Sequence, residues 1–186
     1  MTELEEYSKK NLKSEISEIQ TSHRNSELNQ LTVYEKAVIY KYSNDGFESI
    51  NEILRKSKGK KVNDFGSYLN YSLNKLKNFD GLVYRGANLS KRELNKYMNA
   101  FKNNSLITEY SFISTSKSRL IAMSFKGNVL FRMFSRTGKD IEKITKFGIS
   151  GYSNEKEVLF RSNRMFRILD ITNESTYKLI TVEEVL

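Results

Sequence analysis

The sequence predicts an α+β fold, with helices in the first half of the chain and strands in the second. Apolar residues before residue 80 recur at intervals of three and four, which is typical of amphipathic helices. From residue 108 apolar and polar residues alternate, as they do in half-buried strands. A chain of 186 residues with 38% hydrophobic residues is able to form one cored domain. We therefore expect an N-terminal helical extension over 1–30, followed by one domain over 31–186.

Helical periodicity predicts five helices, and capping signals mark the start of two of them. Thr32 and Ser90 each precede a glutamate by three residues, which is the pattern of a capping box. The turn residues NDG at 44–46 separate the second helix from the third. The predicted helices cover 3–20, 31–43, 47–56, 64–78 and 90–102.

The strand pattern begins after the fourth helix and dominates the end of the chain. The first strand is predicted in LVYRGA, directly after Gly81. In VLFRMF and FRILDI arginines alternate with apolar side chains, so we expect one face of each strand to be buried. The later strands are predicted in EYSFIST, NVLFRMFS, EVLFRS, RMFRILDIT and YKLITVEEV.

Composition excludes several classes of site. Cysteine is absent, so disulfides, thiolate catalysis and cysteine metal sites are not available. The single histidine, His23, lies in a polar segment far from any nucleophile motif, which argues against a Ser-His-Asp triad. No apolar run approaches the roughly 20 residues of a membrane-spanning helix, and the acidic, polar start is unlike a secretory signal. Any catalysis is therefore expected to use carboxylates, hydroxyls, arginines and backbone groups.

The formal net charge of +9 indicates an anionic partner, namely a nucleic acid, a phosphate-bearing ligand or an acidic protein surface. The lysines are spread along the chain apart from clusters such as KSKGKK at 56–61. A solvated basic surface is the simpler explanation of such a dispersed excess. Charge alone does not define the function.

The first motif with candidate chemistry is VYRG. Arg85 stands at the end of a predicted strand, where a guanidinium is able to bind a diphosphate through paired hydrogen bonds. Gly86 beside it allows a ligand to approach the backbone closely. Most arginines at strand ends are surface residues, so this motif is a weak signal by itself.

The second motif, SFISTSKS at 111–118, places three hydroxyls after an apolar strand. Ser114 is able to donate a hydrogen bond to a carboxylate and fix its rotamer. Thr115 and Ser116 are able to support the local turn and the neighbouring strand. A strand followed by a helix cap accounts for the same residues.

The third motif, SNEKEVLF, contains Glu155 and Glu157 on either side of a lysine. On an extended segment residues two apart point to the same side, so both carboxylates would face one cleft. Mutual repulsion there would raise the pKa of one of them. Such a pair suits a reaction with an oxocarbenium-like transition state, because a carboxylate stabilises the developing sugar cation. A solvated strand edge with two glutamates is the alternative.

Together the three motifs resemble the Arg, Ser-Thr-Ser, Glu-x-Glu pattern of the mono-ADP-ribosyltransferases, in their arginine-modifying, toxin-like branch. The resemblance covers residues 31–172. Phe125 stands where the family often has an aromatic that packs on nicotinamide, and Tyr152 where it has a substrate-recognition aromatic. The stretch YKYSNDGFESINEILR resembles the helical segment that covers the NAD cleft of clostridial binary toxin enzymes. The implied fold has N-terminal helices packed on two roughly perpendicular, mostly antiparallel sheets that enclose the cleft.

The resemblance implies transfer of ADP-ribose from NAD+ to an arginine of a target protein, with release of nicotinamide and without a metal. Glu157 would bind the ribose 2′-hydroxyl and stabilise the oxocarbenium ion, while Ser114 would orient it. Glu155 would activate the acceptor and favour arginine. Arg85 would bind the NAD phosphates, and Gly86 would offer backbone groups to the nicotinamide amide. The residues implied in NAD binding are Arg85, Gly86, Ser114, Thr115, Ser116 and Phe125.

One position departs from the family pattern. Asn128 stands where some relatives carry a second phosphate-binding arginine. Lys126, Arg119 and Arg132 are the alternatives for that role, and the sequence does not choose between them.

Two rival functions are an ADP-ribosyltransferase that modifies nucleic acid, which the basic charge favours, and a catalytically inactive NAD-binding or interaction module. The complete motif set argues against the inactive module. A plain nucleic-acid-binding domain ranks last, because the aromatics alternate within predicted strands. The expected partner is a target protein that presents an arginine, joined by an acidic immunity or inhibitor protein if the chain is a toxin; no membrane partner is expected. We expect action in the cytoplasm, by a phage enzyme or by a secreted or injected effector without a signal peptide.

Overall fold

A computed structural model of the chain describes residues 1–125, 127–149 and 153–186. The described residues form seven α-helices and seven strands, together with a short 3₁₀ helix at His23–Ser26 and a π-helical turn at Tyr42–Gly46. The helices are α1 (Glu3–Asn11), α2 (Lys13–Gln20), α3 (Val33–Lys41), α4 (Phe47–Ser57), α5 (Asp64–Asn74), α6 (Lys91–Lys102) and α7 (Arg119–Ser124). The strands are β1 (Asn78–Ala87), β2 (Leu106–Glu109), β3 (Ile113–Ser116), β4 (Val129–Asp140), β5 (Glu157–Phe160), β6 (Arg164–Asn173) and β7 (Lys178–Val185).

Both predicted capping boxes are confirmed. At the start of α3 the Thr32 hydroxyl accepts a hydrogen bond from the Glu35 amide at 3.3 Å, and the Glu35 carboxylate accepts one from the Thr32 amide at 2.7 Å. Ser90 and Glu93 form the same reciprocal pair at the start of α6. Each box satisfies amide groups that the first turn of a helix leaves without partners.

Two helix predictions are corrected. The predicted helix 3–20 is two helices, because the backbone leaves the helical region at Leu12, with φ −128° and ψ 37°. The predicted turn at 44–46 is instead a π-helical turn that joins α3 to α4 without a break. A Cβ at Gly46 would lie 3.0 Å from both the Lys41 carbonyl oxygen and the Phe65 ring, so glycine permits this close packing.

The strands form one connected set in the order β1-β3-β5-β4-β7-β6-β2, with β1 also paired to β4. Every pairing is antiparallel except β4 with β7, so the predicted α+β class with mostly antiparallel strands is confirmed. Two separate sheets were expected, but among the described residues the seven strands are hydrogen-bonded into one sheet in which β4 is central. This long strand pairs with β1 from Val129 to Lys139, with β7 along its first half and with β5 through Lys139 and Asp140.

Two apolar cores meet at β5. The first lies among the N-terminal helices and includes Leu159, and the second lies around the sheet and α6 and includes Val158 and Phe160. All three β5 side chains are fully buried, so the strand that starts at Glu157 is held from both faces.

The N-terminal helices contribute to the first core. Leu12 is buried there, and Tyr7 and Ile16 pack against it. The boundary at residue 30 between an extension and a domain stays a prediction. No helix among the described residues is long and apolar enough to cross a membrane.

Candidate active site

The three motifs meet in one cleft of about 540 Å³. Its walls are the π-helical turn and α4 on one side and the ends of β1, β3 and β5 on the other. Of the predicted residues, the cleft is lined by Arg85, Gly86, Ser114, Thr115, Ser116, Phe125, Glu155 and Glu157. Of the nine predicted site residues, only Tyr152 is missing from this set, and it lies outside the described residues.

Arg85 is oriented by the backbone of the second motif. Its Nη1 donates a hydrogen bond of 2.7 Å to the Ser114 carbonyl oxygen. Within the described ranges this is the one hydrogen bond of the guanidinium, so its other N–H groups are free to bind a ligand in the cleft. The pairing of β1 with β3 at Tyr84 and Ser116 brings the two motifs together.

Glu157 is the most deeply buried charged group of the cleft. It begins β5, pairs with Ser116 on β3 and is 3% exposed. Burial raises the pKa of its carboxyl from 4.5 to about 7, and repulsion from Glu155 acts in the same direction. A hydrogen bond from the Ser114 hydroxyl and the positive charge of Arg85 oppose that rise. Ser114 therefore contacts Glu157, as the resemblance implies.

The other two hydroxyls of the motif bind protein backbone. Thr115 Oγ1 donates to the Val158 carbonyl oxygen at 2.6 Å and thereby ties β3 to β5. Ser116 Oγ donates to the Glu155 carbonyl oxygen at 2.7 Å and accepts a hydrogen bond from the Ser118 amide at 3.0 Å. These hydroxyls hold the strand and the segment that carry the two glutamates. Direct contact of Thr115 and Ser116 with NAD stays a prediction.

Glu155 faces the same cleft as Glu157, but the segment between them is not extended. Lys156 has a φ of +49°, in the left-handed region, and β5 begins only at Glu157. The Lys156 amide donates to the Asn154 side-chain oxygen at 2.8 Å, which stabilises a turn. Glu155 is half-buried, and burial raises the pKa of its carboxyl.

Tyr42 and Asn51 lie in the stretch YKYSNDGFESINEILR but are not among the predicted site residues, and the structure places both at the cleft. Tyr42 is 2% exposed, and its hydroxyl oxygen accepts a hydrogen bond of 3.0 Å from Asn51 Nδ2. Asn51 Oδ1 in turn accepts one from the Phe112 amide at 3.0 Å, which fixes the orientation of the Asn51 amide. The Tyr42 hydroxyl is therefore left with a proton to donate. In the sequence, this pair is indicated by Asn51, a polar residue on the face of α4 that is otherwise apolar and buried.

The aromatic positions at the cleft mouth are partly described. Phe125 follows α7 and is 60% exposed, so its ring is available to a ligand. Phe147, which the motifs also miss, lines the cleft, and its carbonyl oxygen accepts a hydrogen bond from the Glu155 amide at 2.8 Å. Stacking of Phe125 on nicotinamide stays a prediction.

Asn128 has a local structural partner. Its side chain accepts a hydrogen bond from the Leu89 amide and donates one to the Leu89 carbonyl oxygen, both at 2.8 Å. This pair joins the start of β4 to the segment before α6. Lys126, one alternative for a second phosphate ligand, lies outside the described residues.

The other two alternatives are engaged away from the cleft lining. Arg119 Nη2 donates to the Tyr177 hydroxyl at 3.1 Å. Arg132 Nε donates to Thr181 Oγ1 at 3.2 Å across the β4–β7 pairing. Neither residue lines the cleft as described.

Comparison with known families agrees with this geometry. The model of the ADP-ribosyltransferase exoenzyme family matches residues 6–186. The chain belongs to this family. The resemblance carried by the three motifs is thereby confirmed.

Two curated relatives carry names of the same kind. A candidate NAD(+)–arginine ADP-ribosyltransferase of Mycobacterium avium is 33% identical over an alignment of length 143, which covers 73% of this chain and 16% of that protein. Another, Vis of Vibrio splendidus, is 30% identical over an alignment of length 172, which covers 83% of this chain and 66% of that protein. The chain thus spans less than two thirds of either relative.

Solved structures of ADP-ribosyltransferases share the fold. Vis in complex with agmatine superposes with a TM-score of 0.69 at 25% identity, covering 100% of this chain and 87% of that chain. HopU1 of Pseudomonas syringae superposes with a TM-score of 0.79 at 18% identity, covering 94% and 87%. These matches confirm the fold class predicted from the sequence.

Proposed function

We propose that this exoenzyme-family chain transfers ADP-ribose from NAD+ to an arginine of a target protein and releases nicotinamide. The observation that carries the proposal is the placement of Arg85, Ser114, Glu155 and Glu157 in one cleft, with Glu157 buried. A buried carboxylate beside a second carboxylate suits a reaction in which positive charge develops on a sugar.

NAD+ fits the chemistry of the cleft as a substrate. The volume of about 540 Å³ is within the range of small-molecule sites, roughly 300–1,000 Å³. The free N–H groups of Arg85 are suited to the diphosphate, because a guanidinium binds phosphate oxygens in pairs. The exposed ring of Phe125 offers an aromatic face at the mouth of the cleft.

In the proposed reaction the bond between the ribose and nicotinamide breaks, and its electron pair leaves with nicotinamide. Glu157 stabilises the positive charge that develops on the ribose. A guanidinium nitrogen of the target then forms a bond to the same ribose carbon. Glu155 accepts the proton which that nitrogen loses, and its raised pKa suits a general base.

The acceptor is assigned to arginine from Glu155 and from the relatives. A half-buried carboxylate at the mouth of the cleft is able to pair with a guanidinium through two hydrogen bonds. Both curated relatives are named for arginine, and Vis has been crystallised with agmatine, which carries the same guanidinium.

We also propose that the reaction needs no metal, because a positioned carboxylate supplies the charge stabilisation. Activity in excess EDTA should therefore equal activity without it. The name of one solved relative, the Vis toxin, supports a toxin or effector role. The partners would then be a target protein with an accessible arginine and an inhibitor protein with an acidic surface.

The test is incubation of the purified chain with labelled NAD+ and agmatine. The unmodified chain should label agmatine, and Glu157→Gln should abolish both labelling and nicotinamide release. Glu155→Gln should lose agmatine labelling but keep part of the nicotinamide release, because the cation at the ribose is still stabilised. Glu174→Gln, an exposed glutamate outside the cleft lining, is the matched control and should behave as the unmodified chain.

The same assay separates the rival functions. Glu157-dependent release of nicotinamide with label on added RNA or DNA and none on agmatine would replace arginine by nucleic acid as the acceptor. Binding of NAD+ without any nicotinamide release would indicate the inactive module and contradict the proposal.

A further inference from the structure

Three cations gather where β5 ends, away from the cleft. Arg161 follows β5 directly and Arg164 begins β6, so the two arginines flank a turn of two residues. Lys139 on β4 pairs with Leu159, and Arg161 lies two residues beyond Leu159, which places Lys139 and Arg161 as diagonal neighbours. None of the three cations forms a salt bridge with the part of the chain that the structure describes.

We call Lys139, Arg161 and Arg164 the basic cluster. Their hydrogen bonds with the described residues leave some of their N–H donors unused. Lys139 Nζ donates to the Leu76 carbonyl oxygen and to Asn78 Oδ1, both at 2.7 Å. Arg161 Nη1 donates to Asn74 Oδ1 at 2.9 Å. The buried Nε atoms of Arg161 and Arg164 have no acceptor, and no described residue is a side-chain partner of Arg164. Buried donors without partners are uncommon in folded proteins.

Two acidic residues on the neighbouring strands, Glu184 and Glu109, have hydrogen-bond partners outside the cluster. The Glu184 carboxylate is buried and accepts hydrogen bonds from the amides of Arg136 and Thr137 and from the Thr137 hydroxyl. Glu109 lies opposite Arg164 in the β2–β6 pairing, but its carboxylate receives Lys96 and Tyr97. The oxygens that accept from Lys139 and Arg161 are the Leu76 carbonyl and the side-chain amides of Asn78 and Asn74, and none of them carries a formal negative charge.

The pKa shifts of the basic cluster agree with an excess of positive charge there. Burial, joined by repulsion from Arg161 and Arg164, lowers the pKa of Lys139 although the charge of Glu184 opposes it. Burial and the charge of Arg164 likewise lower the pKa of Arg161, again against the opposing charge of Glu184. An anion bound by the half-buried guanidiniums of Arg161 and Arg164 would relieve the repulsion among the three side chains and accept hydrogen bonds from the remaining N–H groups of the two arginines.

We propose that Arg161, Arg164 and Lys139 form an oxyanion-binding site whose ligand is a phosphate group. Two guanidiniums on either side of a tight turn suit a tetrahedral dianion, because each is able to donate two hydrogen bonds to its oxygens. The site is distinct from the cleft. Arg161 is four residues beyond Glu157, roughly 13 Å along the strand, and neither arginine lines the cleft.

Binding of inorganic phosphate, measured by calorimetry at constant ionic strength, tests the site. The Arg85→Ala protein is used as the parent, so that phosphate binding in the cleft is suppressed. Adding Arg164→Gln should weaken phosphate binding by about tenfold or more, since a charge-assisted hydrogen-bonding partner is lost. Adding Arg92→Gln removes the same charge from an exposed arginine without a side-chain partner among the described residues, and it should leave phosphate binding unchanged.

Further measurements separate a binding role from a folding role. Because Arg164 has no side-chain partner within the described ranges, Arg164→Gln should unfold at the same or a higher temperature than the parent without phosphate. Arg164→Lys keeps the positive charge but lacks the paired N–H groups of a guanidinium, so it should bind phosphate more weakly than the parent. A phosphoserine peptide that binds more tightly than inorganic phosphate would identify a phosphorylated macromolecule as the source, whereas phosphate alone would identify a small ligand. No saturable phosphate binding, or equal weakening by Arg164→Gln and Arg92→Gln, would overturn the proposal.

Discussion

Replacing the proposed catalytic carboxylate should stabilise the folded chain above pH 7. The Glu157 carboxyl is buried, and its pKa rises from 4.5 to about 7, chiefly because burial disfavours the charged form. Between these two values the folded state binds more protons than the unfolded state, so stability falls as the pH rises. The loss begins near pH 4.5 and is complete above the folded pKa of about 7. Glu157→Gln removes the charge and keeps an acceptor for Ser114.

The size of the effect follows from the two pKa values. Ionisation of Glu157 costs roughly 3 kcal/mol of folding free energy at pH 8 and roughly 1 kcal/mol at pH 5. Glu157→Gln should therefore raise the free energy of unfolding by roughly 2 kcal/mol more at pH 8 than at pH 5. Urea denaturation of both proteins at the two pH values measures this difference.

The exposed Glu174 provides the control, because Glu174→Gln removes a solvated carboxylate and should change stability equally at both pH values. If Glu157→Gln also gave the same change at pH 5 and pH 8, the carboxylate would not be held against its charge. The reasoning about its burial would then be refuted.

Four further predictions concern the pH dependence of the reaction, the binding of NAD+ and the turn at Lys156. The kcat/KM for NAD+ should fall about tenfold per pH unit below pH 7 as Glu157 takes up a proton, and a pH–rate profile that stays flat to pH 5 would contradict its role. Arg85→Ala should raise the Kd for NAD+ about tenfold or more in calorimetry, because a phosphate ligand is lost, and an unchanged Kd would remove Arg85 from NAD binding. Tyr42→Phe keeps the ring but not the free hydroxyl proton, so the Kd for NAD+ should rise about fivefold, and equal affinity would place that proton elsewhere. Lys156→Val should cost about 1–2 kcal/mol of stability in urea denaturation, because a β-branched residue disfavours the left-handed backbone, whereas Lys156→Gly should cost nothing; equal losses would contradict the strained turn.

Local signals explain which parts of the fold are predictable from the sequence. The capping boxes at Thr32 and Ser90 depend on residues three apart, so their hydrogen bonds are visible in the chain itself. The alternation in β4 and β6 likewise identifies strands without knowledge of their neighbours. The π-helical turn is different, because NDG is also a turn signal and only packing against Phe65 selects the helical path.

Strand order is not predictable in the same way, and much of the site depends on it. The hydroxyl of Thr115 meets Val158 because β3 and β5 are antiparallel neighbours in a particular register. The register of the β3–β5 pairing cannot be predicted from a single sequence. The predicted support of the local turn and the neighbouring strand by Thr115 and Ser116 is confirmed, but the particular partner atoms depend on this register.

Glu155 and Glu157 both line the cleft as predicted, but the backbone between them is not extended as the prediction assumed. An extended segment would place Glu155 and Glu157 on one side, but the backbone turns at Lys156. Glu157 is fixed because β5 is buried from both faces. Glu155 is fixed separately, because its backbone is hydrogen-bonded to Ser116 and Phe147.

Polar groups at the end of β3 and in the residues after it support the segment that carries Glu155. Ser116 holds the Glu155 carbonyl oxygen at 2.7 Å. Lys117 Nζ donates to the Glu142 carboxylate at 2.6 Å, and the other oxygen of that carboxylate receives Asn154 Nδ2 at 2.6 Å. Although burial acts against it, these hydrogen bonds from Lys117 and Asn154 lower the pKa of Glu142, so it stays charged at neutral pH. Glu157 thus depends on the core and Glu155 on a polar network, so the proposed roles of the two carboxylates in NAD+ cleavage and acceptor choice should be separable by mutation.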